Sequence, residues 1–187
     1  MKKFLIILSL IFYSVSANLL FANEWQIDKN KSSIEFSGAH SGNNFIGKFD
    51  DISGEIKFDP NNLTRSFAKI KINLKSAKTG NQTYDKTLPQ SDWFDVVKYP
   101  FALYETKKIT RVKADNYKIE GFLTIKNIRA AHNFNAHIKI TGDKAILTAR
   151  TEIKRLDFNI GKTSDPDGSW VSLNIPLQIF LNADLKK

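Results

Sequence analysis

A two-residue hydrophobic period runs through most of this chain and restricts its fold more than any other feature. Ala68, Ile70, Ile72 and Leu74 alternate with Lys69, Lys71, Asn73 and Lys75. Tyr117, Ile119, Gly121, Leu123 and Ile125 alternate with Lys118, Glu120, Phe122, Thr124 and Lys126. Near the C-terminus Val171, Leu173, Ile175, Leu177, Ile179 and Leu181 hold the odd positions. Successive side chains of a strand point to opposite faces, so this pattern gives strands dry on one face and wet on the other. That is the habit of antiparallel sheets. Further strands are expected over 25–28, 33–39, 45–49, 54–58, 101–109, 134–140 and 144–156.

Turn chemistry separates these segments. Asp59-Pro60-Asn61-Asn62, Thr79-Gly80-Asn81, Thr141-Gly142-Asp143 and Asp165-Pro166-Asp167-Gly168 are all strong turn formers. Between 81 and 95 the alternation is lost, and the spacing predicts a short helix and a loop inserted between strands. No repeat, low-complexity stretch or linker divides the chain. Some eight antiparallel strands in one domain must close into a barrel or double over into a sandwich, because open edges invite aggregation. An eight-stranded barrel leaves room for one small apolar ligand. Several strands look long, roughly 9–13 residues against a usual 5–6, which favours a tall, extended barrel. Periodicity does not distinguish a filled interior from a hollow one.

The N-terminus reads as a secretory signal peptide over 1–22. Lys2-Lys3 precedes an apolar run from Phe4 to Tyr13, and a small residue, Ala22, marks the expected cut, with Ala17 as the second choice. The run is too short to cross a hydrocarbon layer, which takes about 20 residues. The expected mature domain, 23–187, suits one core. Loss of Lys2 and Lys3 takes the formal charge from +9 to +7. The lysines are scattered along the polar phase, so they read as a solvated face, with loose attraction to anionic lipid headgroups as the other use. An exported chain has little occasion to meet nucleic acid. There is no cysteine, which excludes disulfides, thiolate metal sites and cysteine nucleophiles.

Candidate chemistry is sparse. His132 and His137 are five apart, an odd separation that sends them to opposite faces of a strand and argues against a shared metal. His40, in Ala39-His40-Ser41-Gly42, is a loop residue or a polar group at a cavity mouth. Asp92 and Asp95 flank Trp93-Phe94 and are expected to cap a short helix or pair with a lysine. Arg155 and Asp157 fall on one face of an expected strand, as an ion pair or as an anchor for a ligand head. No Gly-x-Ser-x-Gly elbow, phosphate loop or zinc-protease helix is present.

Specific strings resemble a known family. Ser91-Asp92-Trp93-Phe94-Asp95-Val96 and Tyr99-Pro100-Phe101-Ala102 are similar to a conserved-looking block of YceI-like proteins. Trp25-x-Ile27-Asp28, Ala39-His40-x-Gly42, Gly47-x-Phe49, Gly121-x-Leu123-Thr124-Ile125 and Arg155-x-Asp157-Phe158-x-Ile160 follow in the family's order. The resemblance implies an all-β, lipocalin-like barrel in the periplasm that binds a polyisoprenoid or similar amphiphile, often as a dimer, without catalytic residues or a cofactor. One segment departs from the pattern. Where the family commonly reads Gly-x-Thr-x-Pro-Val, this chain has Asn127-Ile128-Arg129-Ala130-Ala131-His132.

The leading expectation is therefore non-enzymatic binding, for carriage or storage, of an isoprenoid, quinone or fatty-acyl lipid. Phe36, Phe45, Phe49, Phe58, Trp93, Phe94, Phe101, Leu123, Phe134, Phe158 and Ile160 are the expected tail lining. His40, Arg155 and Asp157 are the expected polar head contacts. Transient contact with a membrane surface and a homodimer are further expectations. Two other functions compete. One is a hydrolase or isomerase acting on a lipid or quinone head through His40 with Asp92 or Asp157; the other is a solid-core structural β domain.

Overall fold

The alternating segments form the strands expected of them. The computed structural model describes residues 23–186; the expected signal peptide lies outside them. The strands are β1 (Glu24–Ile27), β2 (Ser33–His40), β3 (Asn43–Phe49), β4 (Ile52–Lys57), β5 (Phe67–Asn73), β6 (Phe101–Lys113), β7 (Asn116–Ile125), β8 (Ile128–Ala131), β9 (Phe134–Thr141), β10 (Lys144–Lys154) and β11 (Asn174–Leu185). One helix, α1 (Gln82–Thr87), lies in the stretch that lacks alternation. Asn81 starts it by accepting hydrogen bonds from the backbone N–H groups of Thr83 at 2.9 Å and Tyr84 at 3.3 Å.

All ladders are antiparallel, in the order β1-β4-β5-β6-β7-β9-β10-β11, and β11 returns to pair with β1. The ring of eight is thus closed. β2 continues β1 along β11, pairing Phe36 with Leu177, after a 3-10 turn at Lys29–Lys31. β3 likewise continues β4, across Asp50-Asp51. β8 is an additional strand that extends β9 along β7, and it occupies the segment that departs from the family pattern. Its register is set by Lys126 and Asn127, both at positive φ, in a two-residue turn between Ile125 and Ile128.

Buried apolar residues hold the inner phase of every long strand: Ile70 and Ile72 on β5, Ala102 and Tyr104 on β6, Ile119 and Leu123 on β7, Ala136 and Ile138 on β9. Lysines 69, 71, 118 and 139 sit on the exposed phase. The chain order places the short turns at 114–115 and 142–143 at one end, here the lower. The long segments 74–100 and 155–173 lie at the upper end. Trp25, Phe58 and Tyr117 close the lower end: the Trp25 indole N–H donates to Phe58 O at 2.9 Å, and the Phe58 and Tyr117 rings meet edge-on at 5.3 Å.

Two cross-strand pairs shape the interior near the top. The Phe36 ring lies where a Cβ on Gly47 would be, 2.3 Å from its Cζ, and the Phe45 ring lies 2.8 Å from the same point on Gly38. The rings lie against their partner glycines on the neighbouring strand. Gly121 is under a different demand, because a Cβ there would sit 2.4 Å from the Glu105 carbonyl oxygen and 2.6 Å from the Tyr104 hydroxyl. It lies at the bulge where β6 and β7 shift register between Thr106 and Lys108. Backbone cannot yield as a flexible side chain can, so Gly121→Ala is expected to lower the unfolding free energy by about 1–3 kcal/mol in urea titration.

Candidate functional site

The barrel interior is a cavity of about 220 Å³ with an almost wholly apolar wall. Phe36, Phe45, Phe49, Phe58, Trp93, Phe94, Leu123, Phe134 and Ile160, all among the expected lining residues, line it. Two other expected lining residues do not. Phe101 is 37% exposed on the outer face of β6, with the Lys71 ammonium 3.6 Å from its ring centroid. It begins the strand on the phase opposite to Ala102 and Tyr104, which face in. Phe158 is buried in the core but is not among the residues that line the cavity. Trp25, Tyr104, Thr106 and His132 also line the wall and were not singled out beforehand for this role.

A vestibule of about 320 Å³ lies above the cavity, and the two share Phe36, Phe45, Leu88, Trp93 and Val171 as a common neck. The vestibule is more polar. Thr79, Thr83 and Thr87 line one side with Tyr84, and Ser164, Asp165 and Trp170 the other. His40 belongs here, at a cavity mouth, with Nδ1 3.0 Å from the Tyr84 hydroxyl. Trp170 is 61% exposed at the rim. Tyr84 went unrecognised in sequence because it sits on a helix in the one segment without strand periodicity.

Arg155 explains how the upper loops hold their shape. The expected strand ends at Lys154, and Arg155–Phe158 form a 3-10 turn, so Arg155 and Asp157 do not share a strand face. Asp157 is exposed, whereas Arg155 is buried. Arg155 donates from Nε to Ser172 O at 3.1 Å, from Nη1 to Ile160 O at 2.8 Å, and from Nη2 to Asp165 O at 3.0 Å and Val171 O at 3.1 Å. Its ion-pair partner is Asp165, whose carboxylate also accepts the N–H groups of Trp170 and Val171. Arg155 reaches the cavity wall, but these bonds commit its guanidinium to bracing the 155–173 loop rather than to a ligand head.

Asp92 is the second brace. It neither caps α1 nor pairs with a lysine; it accepts from the Thr163 N–H at 2.9 Å, and from the Ser164 N–H at 2.8 Å and hydroxyl at 2.6 Å. Burial opposes its ionisation, yet the Ser164 hydroxyl and the two N–H groups prevail and hold its carboxyl at about 2. Lys126 Nζ is the third, donating to Ser91 O, Asp92 O and Asn159 O at 2.9–3.1 Å. His40 and Asp92 thus have different hydrogen-bonding partners, and the dyad considered for head-group chemistry is not hydrogen-bonded. His132 faces the cavity, with Nε2 3.2 Å from Thr151 Oγ1, and burial pushes its pKa down toward the neutral imidazole. His137 is exposed on the other face of the wall. Among the described residues no group of three or more His, Asp or Glu side chains is placed to hold a metal.

Comparison with known proteins adds to this geometry. The profile of the YceI-like domain matches residues 25–183. Protein YceI of Escherichia coli O157:H7 is 28% identical, over 95% of this chain and 97% of its own. A UPF0312 protein of Pectobacterium atrosepticum is 29% identical with the same coverage. Among solved structures, Burkholderia cenocepacia BcnA superposes with a TM-score of 0.79 at 26% identity, covering 83% of this chain and 98% of that one. A polyisoprenoid binding domain from Saccharophagus degradans shares the fold, with a TM-score of 0.69 at 15% identity over 87% and 98% of the two chains.

Breaking a buried ion pair leaves an uncompensated charge, so Arg155→Met is expected to cost about 3–5 kcal/mol of stability, against less than about 0.5 kcal/mol for exposed Asp157→Ala. Urea titration of both variants checks this. Asp92 has a folded pKa below its ordinary 3.8. Its contribution is therefore complete above about pH 4 and lost as pH falls toward 2. Tryptophan fluorescence should show the upper loops loosening in that window, and Asp92→Asn should abolish that dependence.

Proposed function

As the chain belongs to the YceI-like family, we propose that it binds a long-chain amphiphilic lipid, a polyisoprenoid or isoprenoid quinone, without chemically altering it. The observation that carries this reading is a hollow, carbon-lined barrel with a more polar vestibule at its upper end. A hollow interior speaks against the solid-core structural domain. Phe49, Phe94, Leu123, Phe134 and Ile160 hold the tail, and His40, Tyr84 and the vestibule threonines face the head. The name of the Saccharophagus degradans neighbour, a polyisoprenoid binding domain, agrees with this ligand class.

The energetics suffice. Each buried methylene contributes about 0.8 kcal/mol, and the ordering of a flexible chain takes back only part of that gain. Export through the signal sequence would put the protein in the periplasm, where a water-insoluble isoprenoid needs a carrier or a store. Trp170 at the rim and the chain's positive charge suit brief contact with a membrane surface during loading. A homodimer fits the same reading.

Phe45 lies in the neck between vestibule and cavity and is only partly buried. Phe45→Asp puts a carboxylate in the path of the tail while leaving the barrel ladders untouched. Displacement of an apolar fluorescent dye by a polyprenol should weaken roughly a hundredfold or more in this variant, with an unchanged far-UV spectrum. Undiminished displacement would rule out this route into the barrel.

A further inference from the structure

The barrel wall is interrupted on one side. β9 pairs with β10 from Thr141–Lys144 up to Ala136–Ala149, and there the ladder stops. Above that point β10 continues through Lys154, hydrogen-bonded along one edge to β11. The facing strand is β8, whose recorded ladder is to β7. Among the described residues, β8 and the upper half of β10 share no backbone hydrogen bond.

What spans this gap is side-chain contact. His132 Nε2 lies 3.2 Å from Thr151 Oγ1 at its lower limit. Lys126 Nζ reaches Asn159 O at 2.9 Å, joining the turn before β8 to the loop after β10, at its upper limit. Between them the inner edges are Ile128 and Ala130 on β8 and Ile153 on β10, all partly buried against the core. Ile153 and His132 also line the main cavity, so the gap is continuous with it. β8 has four residues, which makes the window roughly 13 Å long.

We propose that this seam is a second ligand site, a lateral window through which the distal end of a hydrocarbon chain longer than the barrel leaves the cavity. Three features favour a lipid tail as its occupant. The inner edges between its polar limits are apolar, the window opens onto the tail-lining wall, and the opposite lower end of the barrel is plugged by Trp25, Phe58 and Tyr117. The lengths agree. On β6 the cavity lining runs from Ala102 to Ile109, so with the tilt of such a barrel the lumen is roughly 20 Å tall, and a longer polyprenyl tail entering from the top has to turn aside. Opening the window breaks the His132–Thr151 hydrogen bond, some methyl contacts and at most the Lys126–Asn159 bond, whereas opening any other pair of adjacent ring strands breaks a ladder.

The proposal rests on the lipid-binding reading and is tested separately from it. The chain has no cysteine, so a His132→Cys, Thr151→Cys double variant can be stapled across the window with a short, reducible bis-methanethiosulfonate. Uptake of a long polyprenol and of a short prenol, farnesol, is measured before stapling, after it, and after reduction. Stapling is expected to slow polyprenol uptake at least tenfold, to leave farnesol uptake unchanged, and to be reversed by the reductant. Equal polyprenol uptake by the stapled and reduced forms overturns the window while leaving the lipid reading intact. Uptake of neither prenol by the wild-type chain overturns both. Should the double variant fold poorly, Thr151→Val decides: polyprenol transfer to vesicles should accelerate about fivefold, and an unchanged rate counts against the window.

Discussion

The pairing of Trp25, Gln26 and Ile27 with Leu185, Asp184 and Ala183 is the interaction on which the rest depends. It joins the first strand to the last and turns an open sheet into a ring. Once the ring is closed, every inward side chain faces one shared volume. The alternation that would merely make a sheet amphipathic now divides the protein into an apolar lumen and a lysine-rich exterior. Eight strands fix the width of that lumen, and the side chains decide how much of it stays empty. Phe36 and Phe45 lie over Gly47 and Gly38, and a free volume persists inside.

The two ends of the ring are built differently, and the difference gives the cavity a direction. Short turns and a packed aromatic plug finish the lower end. At the upper end two long segments must be held in place without regular structure. Arg155, Asp165, Asp92 and Lys126 do this by satisfying loop carbonyls and amides. A buried ion pair is a weak source of net stability, because desolvation offsets its attraction. Its value here is geometric: it fixes the loop that carries Trp170 and Val171, and so the shape of the vestibule.

Most of the architecture was legible because period-2 alternation and turn residues are local signals. Ile70 and Lys71 point where their neighbours dictate, and Gly142-Asp143 turns the chain as its composition predicts. The same rule gives the inward phase of each strand, but not that the interior is hollow, nor that Trp93, Phe94 and Ile160 reach its wall from loops. What was not legible depends on contacts far apart in sequence. Arg155 and Asp157 read as a pair because the expected strand runs two residues past Lys154, whereas the true partner, Asp165, is brought in by the loop. Asp92 is matched to residues 71 and 72 positions away. Phe101 lies outside because its phase is opposite to that of Ala102; its aromatic character alone does not make it part of the lining. β8 is only four residues long, Ile128–Ala131, too short for alternation alone to mark it as a strand.

The central claim is that the lumen holds a lipid chain, and native mass spectrometry of the protein purified from its own host tests it most directly. The account predicts a complex heavier than the polypeptide by one long-chain lipid, which collisional activation releases intact as a prenyl-type molecule. A bare polypeptide mass that stays unchanged after incubation with polyprenol or isoprenoid quinone would contradict it.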